Sequence, residues 1–136
     1  MPKLKKIDYI YTVGRRKASS ARVRLYRGKG ENTVNGMPAE KYFQGEVNRK
    51  ALERPIGASD ATGKHYFSAR VMGGGKEGQL SAVILGLSRA FVKVDPEKNR
   101  VALRKLNLLS RDSRKRQRRM VGMGGKSRRK KQSPKR

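Results

Sequence analysis

Gly73, Gly75 and Gly78 stand at the spacing G-x-G-x-x-G, after an alternating apolar stretch and before a helical one. Two phosphate chemistries use that pattern. In dinucleotide-binding folds such glycines let the backbone approach a pyrophosphate. More simply, free amides at any helix N-terminus attract phosphate, and Lys76 adds a positive charge. The dinucleotide pattern lacks its wider context: it needs a further parallel strand ending in an acid that reaches the ribose, whereas Asp95-Pro96 begins another helix. A triphosphate-binding loop fails as well, because Gln79 follows the last glycine where lysine belongs. The plainer role of these glycines is a tight turn, which is compatible with phosphate binding.

The other reactive residue types do not assemble. His65 is the only histidine and there is no cysteine, which excludes disulfides and a His/Cys metal cluster. His65 reads as an exposed or packed residue at a loop–strand junction. Ten acids form no pair suited to acid–base work, and Ser19, Ser20, Ser110 and Ser113 have no base beside them. We expect no enzyme, no metal and no cofactor.

What the chain does carry is cationic chemistry. Thirteen Lys and Arg lie between Ser110 and Arg136, among them Arg111, Arg114, Arg118, Arg119, Arg128, Arg129, Lys135 and Arg136, against the single acid Asp112. The large apolar residues there are Met120, Val121 and Met123. Such a segment cannot bury enough apolar surface to offset its ordering entropy. It is expected to order only against a polyanion, and a basic run of this kind is an interaction arm for nucleic acid. Its charges fall on every side, so it is no amphipathic membrane helix. The rest of the chain is also basic: formal net charge is +26 over 136 residues. Self-repulsion on that scale should leave the isolated protein only marginally stable. No apolar run approaches the roughly 20 residues of a membrane span, and the N-terminus lacks the apolar run of a signal peptide. The missing cysteines fit a reducing compartment.

The elements that must position these cations follow from periodicity. Residues 7–13 are β-branched and aromatic and predict a strand. From Ala21 to Tyr26 the chain alternates, with Ala21, Val23 and Leu25 on one face and Arg22, Arg24 and Tyr26 on the other. A short third strand spans 32–36 and ends in a turn signal, and a fourth spans 66–72, with Phe67, Ala69 and Val71 opposite Arg70. A single helical turn is predicted near 38–43, and a helix over 46–52 that Pro55 stops. The clearest helix spans about 78–92: Leu80, Val83, Ile84, Leu87 and Phe91 form an apolar stripe, and Ala82, Gly86 and Ala90 a row of small residues fit for close packing on a sheet. Asp95 caps a last helix, with Pro96 at its first position. The eight aromatics are expected chiefly in the core, with base stacking on a sheet face as the alternative. The expected class is α+β, a four-stranded mixed sheet with helices packed on it, comprising a body over 1–109 and an extended basic tail over 110–136.

Five blocks in order resemble the small ribosomal subunit protein nine family, in its bacterial or organellar form. They are Gly14-Arg-Arg-Lys-Ala18 with Ala21-Arg-Val23, Gly73-Gly-Gly-Lys-Glu-Gly-Gln79, Gly86-Leu-Ser-Arg-Ala90, Ser110-Arg-Asp-Ser-Arg114 and the final Lys135-Arg136. The resemblance spans nearly the whole chain. It implies a fold of the ribosomal S5 domain-2-like type, a place on rRNA in the head of the small subunit beside neighbouring head proteins, and a tail whose tip reaches peptidyl-site tRNA. Lys135 and Arg136 would then be the tRNA-contacting residues. Two departures stand out. Gln132-Ser-Pro-Lys-Arg136 lacks the aromatic the family often has before its end, and Ile84-Leu85 replaces a common basic pair.

The expected function is therefore a structural RNA-binding constituent of the small ribosomal subunit, in the cytoplasm or in an organelle, with no membrane contact. Arg15, Arg16, Lys17, Arg22, Arg24, Arg70 and Lys76 would dock the body on rRNA. A histone-like architectural protein explains the charge equally well but not the ordered blocks.

Overall fold

The computed structural model describes residues 8–60, 63–125 and 130. Its centre is a five-stranded mixed sheet in the order β1-β2-β5-β3-β4. Strand β1 (Tyr9–Arg16) pairs antiparallel with β2 (Ser19–Arg27), and β2 with β5 (His65–Met72). Strand β3 (Thr33–Val34) runs parallel to β5 and antiparallel to β4 (Met37–Pro38).

The alternation along β2 and β5 sorts the two faces as the sequence implies. Ala21, Val23, Leu25, Phe67, Ala69 and Val71 are buried, while Arg22, Arg24 and Arg70 between them are exposed. Helices cover only the buried face. The central one, α3 (Lys76–Val94), lies across β1 and β2, and α2 (Glu46–Ala58) and α4 (Pro96–Lys105) pack on it. The single turn α1 (Ala39–Tyr42) follows β4.

Small residues set the helix–sheet distance. A Cβ on Gly14 would collide with the Ala82 carbonyl oxygen and come within 2.6 Å of the Gly86 nitrogen. A Cβ on Gly86 would lie 2.7 Å from Val23 Cγ2. The buried Thr12 hydroxyl uses this proximity to donate to the Gly86 carbonyl at 2.7 Å. Ala82 and Ala90, the other members of the small row, are fully buried. Around them the core is filled by Phe43, Phe67, Phe91, Leu87 and Leu103.

Three features differ from the sequence expectation. Strand β1 continues through Gly14 to Arg16, because the glycine's role is close packing rather than chain reversal. The stretch 32–36 is a hairpin rather than one strand. Asn35 and Gly36 both take positive φ, at 52° and 80°, the backbone that a two-residue hairpin requires. This adds β4, an edge strand that tolerates Pro38. Finally, Pro55 does not stop α2, which runs to Ala58. The proline ring is buried beside Leu52, so tertiary packing offsets the lost hydrogen bond. The predicted N-cap holds, since Asp95 Oδ1 accepts from the Lys98 amide at 3.4 Å.

Candidate nucleic-acid interface

The uncovered sheet face carries the charge. The register puts Tyr11 beside Arg24, and Arg22 directly opposite Arg70. With Asn35, Gly36, Ser68 and Met72 these residues line one shallow depression that contains no acid. Like charges directly opposed across a strand pair repel. The face is thus electrostatically unfavourable until an anion occupies it. Arg15 extends the same face toward the end of β1, opposite Ser20.

Tyrosines flank the arginines. Tyr26 stacks on Tyr66 at 5.0 Å between centroids, Tyr9 leans on Tyr26 at 5.7 Å, and the Arg24 guanidinium sits 5.0 Å above Tyr9. The aromatics therefore divide by type. The three Phe fill the core as expected, while Tyr9, Tyr11, Tyr26 and Tyr66 lie along the open face. Period-2 alternation marks Tyr26 as outward-facing. For Tyr9 and Tyr11 the outward signal in β1 is weakened by Ile10 and by the small Thr12 and Gly14 on the inner face.

A second cationic group lies at one end of the sheet. The β1–β2 turn holds Lys17 at φ 52°. It packs against the Gly-rich turn, where Gly73 and Gly74 take φ 75° and 62°. Ser19 Oγ donates to the Gly73 carbonyl at 2.9 Å. A Cβ on Gly73 would reach 2.6 Å from the Ala18 carbonyl, and one on Gly78 2.9 Å from Ser19 Oγ. These glycines thus serve a tight fit between two turns. Among the described residues, the only parallel neighbour of β5 is β3, which precedes it, and α4 rather than a strand follows α3. That is not a dinucleotide-binding half. Lys76 opens α3 with its ammonium 5.2 Å from the Tyr42 ring centroid. The Tyr42 hydroxyl in turn donates to Gln79 Oε1 at 2.6 Å.

Arg16 makes an intramolecular contact that its sequence context does not announce. It points away from the arginine face and binds the start of the C-terminal segment, with Nη1 donating to the Arg114 carbonyl at 3.0 Å and Nη2 3.3 Å from Asp112 Oδ2. Asp112 also accepts from the Arg114 side chain, at 2.7 Å from Nη2. Beside this clip, Ile84 and Leu85 line a cleft with Leu108, so the departure from a basic pair supplies apolar support where the segment leaves the body. Sequence reasoning also missed Arg89 and Lys93. Their side chains donate to the Val13 and Tyr11 carbonyls at 2.8 and 3.0 Å, which blocks the free edge of β1.

Arg111, Arg118 and Arg119 are exposed on a segment without helix or strand among its described residues, apart from a turn in which the Met123 amide donates to the Met120 carbonyl at 3.0 Å. Arg128, Arg129, Lys135 and Arg136 lie outside the described residues. His65 is half-buried, edge-on to Phe91 at 6.2 Å. Burial first, then Arg27 and Lys64, lower its pKa. Among the described residues, no three metal-ligating side chains cluster and no helix is long and apolar enough to cross a membrane.

A depression with no acid among its described lining residues, edged by arginines and a tyrosine on a helix-backed sheet, in a chain of net charge +26, has the chemistry of a polyanion-binding surface. The family model described as Ribosomal protein S9/S16 matches residues 14–136. The small ribosomal subunit protein uS9 of Maridesulfovibrio salexigens is 41% identical over 118 residues, which cover 87% of this chain and 90% of that protein. The small ribosomal subunit protein uS9 of Cutibacterium acnes is 40% identical over 110 residues, covering 81% of this chain and 64% of that protein. The chain belongs to the ribosomal protein S9 family. It is a structural, non-enzymatic constituent of the small ribosomal subunit.

Proposed function

We propose that the protein binds rRNA in the head of the small subunit through its open sheet face and its C-terminal segment, and that the segment's tip touches peptidyl-site tRNA. The observation that supports this reading is the acid-free depression in which Arg22 opposes Arg70. Arg15, Arg24, Lys17 and Lys76 add phosphate contacts around it. Residues 1–109 act as the docking body and 110–136 as an arm that orders on RNA. Along the arm, Arg111, Arg114, Arg118, Arg119, Arg128 and Arg129 neutralise phosphates where RNA strands converge. Such contacts fix position and shape rather than sequence. Lys135 and Arg136 offer an ammonium and a guanidinium to the tRNA backbone. The ribosome carrying this chain works in the cytoplasm or in an organelle, with this chain beside other head proteins.

Removal of Lys135 and Arg136 tests the tRNA role. Subunits with the shortened chain assemble normally but hold peptidyl-site tRNA less tightly. Unchanged tRNA affinity in those subunits would refute it.

A further inference from the structure

Among the described residues, Tyr11 is the tyrosine whose ring has no aromatic or cationic partner. The chain has five tyrosines. Tyr9, Tyr26 and Tyr66 form the ladder with Arg24, and Tyr42 meets Phe43 edge-on and carries Lys76. Among the described residues, no ring and no cation covers Tyr11, which is 43% exposed on the rim of the arginine depression. Its backbone is held rigidly, because its carbonyl accepts from Lys93 and its strand is paired along β2.

The depression thus offers two separate recognition elements. Arg22 and Arg70 face each other with no acidic partner among the described residues. Tyr11 stands across the neighbouring strand as a flat apolar surface that lacks a stacking partner. Strands lie about 4.8 Å apart and residues two apart along a strand about 6.8 Å, so Tyr11, in register with Arg24 and Ser68, lies diagonally about 8 Å from Arg22 and about 12 Å from Arg70, a span that one nucleotide and an arginine side chain bridge. A duplex could satisfy the arginines but not the tyrosine, because its bases are stacked on one another. A protein partner with an acidic chain would satisfy the cations, yet the family's setting supplies phosphate.

We propose that this depression holds one unpaired RNA nucleotide, its phosphate between Arg22 and Arg70 and its base flat on Tyr11. This rests on the rRNA-binding reading above and narrows it from backbone contact to capture of a single-stranded base. Stacking accepts any base. Asn35, the amide in the depression, already exchanges hydrogen bonds with the Val71 backbone at 2.9 and 3.2 Å, and is not free to read a base edge. Tyr11 therefore selects an unpaired conformation rather than a sequence.

The test uses assembled small subunits carrying the full chain, either unaltered or with Tyr11→Ala or Tyr11→Phe. Ultraviolet irradiation followed by peptide mapping should join Tyr11 to one nucleotide, and chemical probing should show that nucleotide unpaired. In the Tyr11→Ala subunits the cross-link disappears and the reactivity of that base rises several-fold, while Tyr11→Phe retains protection. Cross-links confined to the C-terminal peptides, or a base-paired nucleotide at Tyr11, would overturn the proposal while leaving rRNA binding intact. A chain absent from small subunits would overturn the broader reading as well.

Discussion

Arg16 and Asp112 meet at 3.3 Å, and this ion pair fastens the C-terminal segment to the end of β1. Arg16 is largely shielded, with 15% of its side chain exposed. The Arg114 side chain, then the Arg114 amide, hold the Asp112 carboxyl well below the usual carboxylate range. The one acid of the segment thus favours its charged form, the form that pairs with Arg16.

Arg16→Ala removes both contacts to the segment at once. Trypsin should then cut at Arg111 and Arg114 several-fold faster, while the unfolding midpoint of the body barely moves, since ion pairs of this kind contribute about 1 kcal/mol or less. An unchanged cleavage rate would show that the clip does not hold the segment.

His65 predicts a pH dependence of opposite origin to the acid's. Its folded pKa is lowered by burial and by Arg27 and Lys64, so the unfolded chain takes up the proton first. Stability is full above the unfolded value of about 6.5 and is lost as pH falls below it toward the folded value. Thermal unfolding across that window should show the loss, and His65→Gln should flatten it.

Glycine packing makes a prediction of sign. Gly14→Ala drives a methyl into the α3 backbone and should destabilise by about 1–3 kcal/mol or more. Gly57→Ala, with nothing within 4 Å of its Cβ in α2, should stabilise by about 0.4–1 kcal/mol. Urea unfolding of both variants measures the contrast.

Arg70→Thr separates stability from binding. Relief of the repulsion from Arg22 should stabilise the free protein by about 0.2–1 kcal/mol. The same change should weaken rRNA binding and reduce the slope of log K against log salt by about one. A variant that loses both stability and affinity would argue for a merely structural arginine.

Alternation made β2 and β5 legible, and with them the arginine face, because every second residue there has an unmistakable character. The small row of α3 was legible for the same reason, and Gly14 and Gly86 confirm the close approach it implied. The turn ending at Gly36 was legible, but the returning strand β4 was missed because the strands on either side of the turn are two residues each. The path of α2 through Pro55 was missed because burial of the ring decides it, and burial is a property of the assembled core. The intramolecular contacts of Arg16, Arg89 and Lys93 were not legible from residue type alone, because their partners lie 76 to 98 residues away.

The most direct test of the account is sedimentation of a cell extract at low salt and again at about 1 M salt, where simple phosphate contacts weaken steeply. The account predicts that the protein travels with the small ribosomal subunit in both runs, held by an arm threaded through folded RNA as well as by the arginine face. Release at high salt, or migration with DNA, would contradict it.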